Sequence, residues 1–335
     1  MSSQPPVLCG AIIGCGFFGR IQLEAWSRMK DVAIVAACDA QLDRARSAAP
    51  RAYAEPDRML DAERLDFIDI ATRPDSHLPL MRMAAGRGIP VICQKPLAEN
   101  MSQALEMQRL ADESGVRVMV HENWRFQPWY REAKARIERG EIGRPVSYSF
   151  RMRQRDGLGP EAYPNQPYFR QMPRLLIYET LIHPIDTGRY LFGEIESVQA
   201  AMRRVNTLIA GEDRAVVLLR HTAGTDGVVD GHRFSNPHPP GAAMGESFFE
   251  GEEGVLQVLA NGDIYRGEER IWRNTIETGY KGDSVLATQR HFIDCLRNQA
   301  PFETSLSDYL PSFAAVEAAY LSAAEARLVR LSELI

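Results

Sequence analysis

The sequence predicts an α/β protein in two parts: residues 1–122 as a doubly wound parallel sheet, and residues 123–335 as an α/β domain on a large, open, mostly antiparallel sheet. Three observations predict it. The N-terminal third alternates short apolar runs with helical segments, and its first apolar run passes directly into a turn of spaced glycines. Beyond residue 121 the texture changes to β-rich segments of alternating polarity, separated by Gly, Asn and Asp turns.

The first element carries the most information. Val7, Leu8, Ala11, Ile12 and Ile13 form an apolar run of strand length, and Gly14, Gly16 and Gly19 follow it in the order G-x-G-x-x-G. Gly14 permits a tight turn, Gly16 lets the main chain approach a pyrophosphate, and Gly19 lets the next helix pack closely on the strand. Phe17 and Phe18 open that helix, whose N-terminus offers free N–H groups and a partial positive charge to phosphates. A second apolar strand, 32–38, ends in Asp39, at the distance where a carboxylate accepts the hydroxyls of an adenine ribose. Ala40 follows, so no adjacent arginine waits for a 2′-phosphate, and NAD is expected rather than NADP.

Segments 41–49 and 57–63 read as helices before a third strand, Phe67 to Ala71. That strand runs into Thr72, Arg73, Pro74 and Asp75, with a helix carrying His77 beginning nearby. In a doubly wound sheet the carboxyl ends of the strands face the ligand crevice, so Thr72, Pro74 and His77 are expected to border the cofactor. The strand at 90–93 ends in Gln94-Lys95-Pro96, and an ammonium at that mouth can meet developing alkoxide charge. A helix from Ser102 to Gly115 and a strand at 116–120 complete the domain.

In the second part a helix ends near Gly140, and strands are expected at 145–153, 196–205, 214–222, 226–234, 246–250 and 254–260. Helices near 284–298 and 308–326 close the chain; the second is alanine-rich and is expected to pack on the first domain or the back of the sheet.

Composition bounds the function. A hydrophobic share of 45%, a charged share of 25% and a net charge of -5 with interspersed signs fit a globular protein and argue against nucleic acid or an anionic membrane as partner. The five cysteines form no C-x-x-C pair, no metal is expected, and no apolar run reaches a membrane span of roughly 18 residues. The opening MSSQPP is no export signal, so a cytoplasmic location and a small-molecule ligand are expected.

The succession GCGFFG, TRPDSH, QKPL, NWRFQPWYREAKARIERGEIG and ETLIHPIDTGRYLFGEI resembles the Gfo/Idh/MocA oxidoreductases over nearly the whole chain. The resemblance implies an N-terminal Rossmann domain, a C-terminal α/β domain with an open sheet, a nicotinamide cofactor, a sugar-like or cyclitol substrate, and a homodimer or homotetramer formed through that sheet. It matches Lys95 to the lysine of the family's E-K-P motif, His183 to its histidine and Asp186 to the acid that follows. Two positions depart from the pattern: Gln94 stands for the usual glutamate, and Glu179 for the usual aspartate.

Glu179 and His183 are spaced to share a helical face, yet Pro184 suggests a helix that starts there and leaves both in a non-helical link. The expected reaction is oxidation of a secondary alcohol of a sugar, sugar acid or cyclitol. His183 would take the hydroxyl proton, Lys95 would stabilise charge, and Glu179 would hold the imidazole or a substrate hydroxyl. Asn123, Trp124 and Arg125, at the domain junction, offer the directional hydrogen bonds and flat wall a polyol needs; Arg125 could equally form an interface ion pair. The Pro- and aromatic-rich stretch 156–174 has the length of a lid, with Tyr163, Tyr168, Arg170 and Arg174 as substrate contacts whose arginines would favour an acidic sugar. Two alternatives stay open: an enzyme of the same fold that uses NAD transiently, as an isomerase, dehydratase or glycosidase does, and a non-catalytic dinucleotide-sensing regulator.

Overall fold

A computed structural model describes residues 6–238 and 240–335; the first five residues of the MSSQPP opening, and Pro239 of the 236–246 loop, lie outside the described residues. The chain divides into two compact units, one running to Glu122 and taking in Val285–Leu310, the other comprising Asn123–Ser284 and Pro311–Ile335.

The first unit holds β1 (Leu8–Ile13), α1 (Phe17–Ser27), β2 (Val32–Cys38), α2 (Leu42–Arg46), β3 (Arg51–Tyr53), α3 (Pro56–Ala62), β4 (Phe67–Ile70), α4 (His77–Ala85), β5 (Val91–Gln94), α5 (Met101–Ser114) and β6 (Val118–His121). The six strands form one parallel sheet in the order β3-β2-β1-β4-β5-β6, a doubly wound arrangement with its switch point between β1 and β4. β4 and β5 are buried at every position, as a parallel sheet covered on both faces requires. Behind the glycine turn, α1 is fastened to β4 from inside: Asp69 accepts hydrogen bonds from Trp26 Nε1 at 2.7 Å and Gln22 Nε2 at 3.1 Å.

The second unit begins with α6 (Pro128–Glu138), β7 (Pro145–Arg153) and α7 (Ile182–Phe192). There follow β8 (Ile195–Arg203), β9 (Arg214–His221), β10 (Asp226–His232), β11 (Gly245–Gly251), β12 (Gly254–Val258), β13 (Ile264–Arg266) and β14 (Glu269–Trp272). The chain ends with α8 (Ser284–Asn298), α9 (Leu306–Glu325) and β15 (Val329–Arg330), the boundary between the units falling at Pro311 within α9. Nine strands form a mixed sheet in the order β14-β13-β12-β11-β7-β10-β9-β8-β15, antiparallel except where β10 runs parallel to β7.

Alternation along β7, β9, β10 and β11 puts Tyr148, Phe150, Val217, Leu219, Val229 and Phe249 in the core. α6 and α7 cover that face: the Tyr130 ring meets Phe150 and Phe249, and Phe192 stacks on Tyr148 at 4.6 Å. The opposite face exposes Leu218, Val228 and Val255 among ion pairs such as Arg214 with Asp230. The expected strands are present with ends shifted by up to two residues, whereas β3, β13, β14 and β15, of two to four residues each, are additional. Strands so short carry no readable alternation.

Candidate functional site

In the first unit the carboxyl ends of β1, β2, β4 and β5 assemble one cluster. Gly14 has φ +99°, and a Cβ there would stand 2.8 Å from the Ala71 carbonyl; a Cβ on Gly19 would stand 2.1 Å from the Gly14 oxygen. Packing alone therefore requires both glycines. Gly16 is different. Among the described glycines it alone has neither a left-handed backbone nor a neighbour within 4 Å of the Cβ position. The protein gives no reason for a glycine there, whereas a diphosphate drawn against the main chain at the start of α1 does. Phe17 and Phe18 are the first residues of that helix and are half-buried.

Asp39 braces the same turn: its Oδ2 accepts the Cys15 N–H and its Oδ1 the Gln41 N–H, each at 2.8 Å. A carboxylate oxygen has a second lone pair, so capacity for ribose hydroxyls remains. Thr72 places its Cγ2 against Gly14 and accepts a hydrogen bond from Ser76 Oγ at 2.7 Å, within a short turn that starts at Pro74. His77 is fully buried, its Nδ1 3.0 Å from the Leu97 carbonyl and its Nε2 3.1 Å from the Thr72 carbonyl. Burial holds its pKa below the ordinary value. A neutral imidazole has a single N–H, so only one of the two carbonyls accepts a hydrogen bond from it; packed between both, the ring sets the 72–77 turn against the chain beyond Pro96.

Gln94 turns its Oε1 back onto the Lys95 N–H at 2.7 Å, and its Nε2 is buried with no hydrogen-bond partner. Lys95 is 8% exposed. The open space at Gly16 and the orphaned Gln94 donor both fit a dinucleotide. Gly16→Ala is accordingly expected to leave the melting temperature of the free protein unchanged and to weaken NAD binding roughly tenfold or more, whereas Gly19→Ala lowers the melting temperature itself. Thermal unfolding with and without NAD separates the two.

In the second unit the site is organised around His183. Its ring stacks on Trp124 at a centroid distance of 4.9 Å and an interplanar angle of 4°. Trp124 sits on a single 3-10 turn, Trp124–Phe126, whose preceding residue Asn123 donates from Nδ2 to Ser284 Oγ at 2.7 Å. Arg125 grips Asp186 of α7 with two hydrogen bonds, of 2.8 and 2.6 Å, and Ser312 Oγ donates to the same carboxylate at 2.7 Å. The arginine is thus a buried clamp on the histidine helix, the ion-pair alternative of the sequence reading, with its partner inside the same unit.

The helix start expected at Pro184 is corrected. Leu176–Leu181 forms a π-helical turn that runs directly into α7, so Glu179 and His183 lie on one continuous helical path. Proline lacks the N–H for the carbonyl four residues earlier and crowds it; a widened turn relieves both, with the Ile182 N–H bonding the Ile177 carbonyl in the π pattern.

Ala162, Tyr163 and Phe169 of the 156–174 stretch pack with Leu175 and Ile209 into one small core. Tyr163 is buried with φ +58°, and burial pushes its phenol up. Tyr168 packs edge-on to Phe169 and accepts from Gln166 Nε2. Arg170 donates to the Pro160 and Pro167 carbonyls, pinning the loop to itself, and Arg174 pairs with Glu317 of α9 at 2.6 Å while stacking over Tyr320. Arg170 is thus engaged by the stretch itself and Arg174 by α9.

Four residues beside these were not anticipated. Thr180 Oγ1 donates to Glu179 Oε2 at 2.7 Å and accepts from Arg233 Nη1 at 2.9 Å. Tyr280 is half-buried, and its phenol pKa is raised by desolvation and by the nearby Glu179 carboxylate. Lys281 carries its ammonium over the Trp124 ring at 6.0 Å and over Tyr280 at 5.5 Å. The only signal in the sequence was the spacing of Gly279 and Gly282 around Tyr-Lys, and left-handed backbone at Gly279, Lys281, Gly282 and Asp283 is what that spacing accommodates. Among the described residues no group of three or more His, Cys, Asp or Glu is placed to hold a metal ion, and no helix is long and apolar enough to cross a membrane.

Comparison with known proteins gives this geometry a context. Residues 9–122 match the profile described as oxidoreductase family, NAD-binding Rossmann fold, and residues 130–257 that of the GFO/IDH/MocA C-terminal domain. A D-apiose dehydrogenase of Paraburkholderia graminis is 38% identical, across 97% of this chain and 90% of its own. A second D-apiose dehydrogenase, of Rhizobium rhizogenes, is 33% identical across 98% and 99%. An oxidoreductase from Agrobacterium radiobacter, solved in complex with NAD+, L-tartaric acid and magnesium, superposes with a TM-score of 0.90 at 32% identity, covering 98% of this chain and 99% of that one. With both family domains matched in order and full-length relatives above 30% identity, the chain belongs to the Gfo/Idh/MocA family and is an NAD-dependent oxidoreductase.

Proposed function

We propose that the protein oxidises a neutral aldose of the D-apiose class at a CH–OH group, with NAD+ as acceptor, in preference to a cyclitol or a sugar acid. The observation that carries the substrate class is the pair of D-apiose dehydrogenases matched along nearly their whole length. The engagement of Arg170 by the Pro160 and Pro167 carbonyls and of Arg174 by Glu317 of α9 supports the neutral substrate, because both guanidinium groups already have partners.

When bound, NAD+ supplies the hydride acceptor. His183 removes the hydroxyl proton as hydride leaves, and the Trp124 ring fixes the imidazole plane so that little reorientation is needed in the transition state. Lys95 stabilises the developing alkoxide with a buried ammonium, where a charge is worth more than in water. Glu179 holds a substrate hydroxyl or the imidazole. Asn123 and Lys281 shape the polyol pocket, and Tyr163 backs it. Gly14, Gly16, Gly19, Phe17, Phe18, Asp39, Thr72, Pro74 and Gln94 form the dinucleotide seat, which His77 braces from behind. Asp39 disfavours NADP by facing a 2′-phosphate with a carboxylate.

The exposed Leu218, Val228 and Val255 on the outer sheet face support assembly into a homodimer or homotetramer through that face, and sedimentation velocity tests it. Five free thiols, four of them buried, support a reducing cytoplasmic location. The reaction itself is tested by NADH absorbance with D-apiose, myo-inositol and an aldonate, each with NAD+ and NADP+. D-apiose with NAD+ is expected to exceed every other combination in kcat/KM by roughly tenfold or more. A faster cyclitol overturns the substrate assignment, and substrate turnover without net NADH reassigns the enzyme to transient cofactor use.

A further inference from the structure

We propose that Thr180 and Arg233 are positioning residues that set the orientation of Glu179, and that Asp156 and Tyr163 make this setting depend on the folded 156–174 stretch. The inference rests on the reading that Glu179 contributes to turnover.

The direction of the relay follows from its chemistry. A guanidinium has donors only, so in the 2.9 Å contact between Arg233 Nη1 and Thr180 the hydroxyl oxygen must accept. The single hydroxyl proton is then left for Glu179 Oε2, at 2.7 Å. Thr180 is 4% and Arg233 5% exposed, and in such surroundings a chain of hydrogen bonds strengthens each member. Adjacent residues of a regular α-helix diverge too far for their side chains to meet. The wider π turn over Leu176–Leu181 narrows that divergence and lets Thr180 reach its neighbour.

Arg233 is held in turn by the other stretch. Asp156 receives its Nε at 2.6 Å and its Nη2 at 2.5 Å, a bidentate pair that compensates the buried cation. The Tyr163 ring lies under the guanidinium at 5.0 Å, with the tyrosine backbone in the left-handed region. Arg233 thus touches residues 156 and 163 on one side and Thr180 on the other, so the packing of the stretch reaches the catalytic carboxylate through two side chains.

The test compares Thr180→Val, Thr180→Ser, Asp156→Asn and Glu179→Gln in the full chain, with NADH formation from the best substrate of the screen. Thr180→Val keeps the volume and loses the hydroxyl; it is expected to lower kcat roughly tenfold to a hundredfold, as loss of a hydrogen bond to a charged group does, with KM for NAD+ unchanged. Thr180→Ser restores the hydroxyl and is expected within about twofold of wild type, an outcome a purely structural role for the threonine would not give. Asp156→Asn is expected to lower kcat as well, and its combination with Thr180→Val to be no worse than the poorer single variant, because both act on one chain of contacts. Normal turnover in Thr180→Val beside an impaired Glu179→Gln overturns the relay. Normal turnover in both overturns the role of Glu179 and the relay with it.

Discussion

His183→Asn is expected to lower kcat for NADH formation by roughly a hundredfold to ten-thousandfold, the range over which a positioned general base contributes, while NAD+ binding stays as in wild type. The expectation rests on how the ring is held. It lies flat on Trp124 at 4.9 Å, on a helix clamped through Asp186, so its plane and position are set before any substrate arrives. A base so placed contributes in the transition state, and its loss falls on kcat and kcat/KM together with little change in KM. The residues proposed for the dinucleotide seat all lie in the first unit, so NAD+ titration by quenching of protein fluorescence serves as the internal control. Trp124→Phe keeps a ring under the imidazole and is expected to lose far less than His183→Asn. If His183→Asn turned over D-apiose or any other substrate of the screen at the wild-type rate, the proton acceptor would have to be another group, and Lys95 would be the first candidate.

Much of this was legible before any coordinates. The turn at Gly14–Gly19 and the acid at Asp39 are local: strand, turn and helix start are contiguous, and the reasons for Gly14 and Gly19 are steric facts that a spacing expresses. The strands of the large sheet were legible where they run five residues or more, because alternation has room to repeat, as in β7, β9 and β10. The partners of the charged residues were not. Arg125 reads in sequence as a cation among aromatics, and only folding brings it to Asp186; Arg174 finds Glu317 on the last long helix in the same way. The π turn escaped because Pro184 fits a helix start equally well, and the choice depends on whether the preceding carbonyls find donors. Thr180 and Arg233 carried no signal, since a threonine beside a glutamate and an arginine after a strand are commonplace.

Asp186→Ala is expected to cost about 3–5 kcal/mol of stability, read as a lowered midpoint of urea unfolding, because it strands a guanidinium that is 4% exposed. The pair has the geometry that makes a buried ion pair hold: two parallel hydrogen bonds of 2.8 and 2.6 Å and a hydroxyl from Ser312 on the same carboxylate. Removing one partner leaves an uncompensated charge, whereas removing both need not, so Arg125→Met combined with Asp186→Leu is expected to recover much of the loss. The double-mutant cycle then gives a large favourable coupling, with Ser312→Ala a smaller separate decrement. Activity is expected to part from stability in the recovered double variant. Its core is filled again, but the two-pronged grip that fixes the angle between the Trp124 turn and α7 is gone, so kcat remains depressed while the unfolding midpoint returns. A loss below about 1 kcal/mol in Asp186→Ala, of the size seen for exposed pairs, would mean that the clamp is incidental, and that the imidazole owes its position to the stack on Trp124 alone.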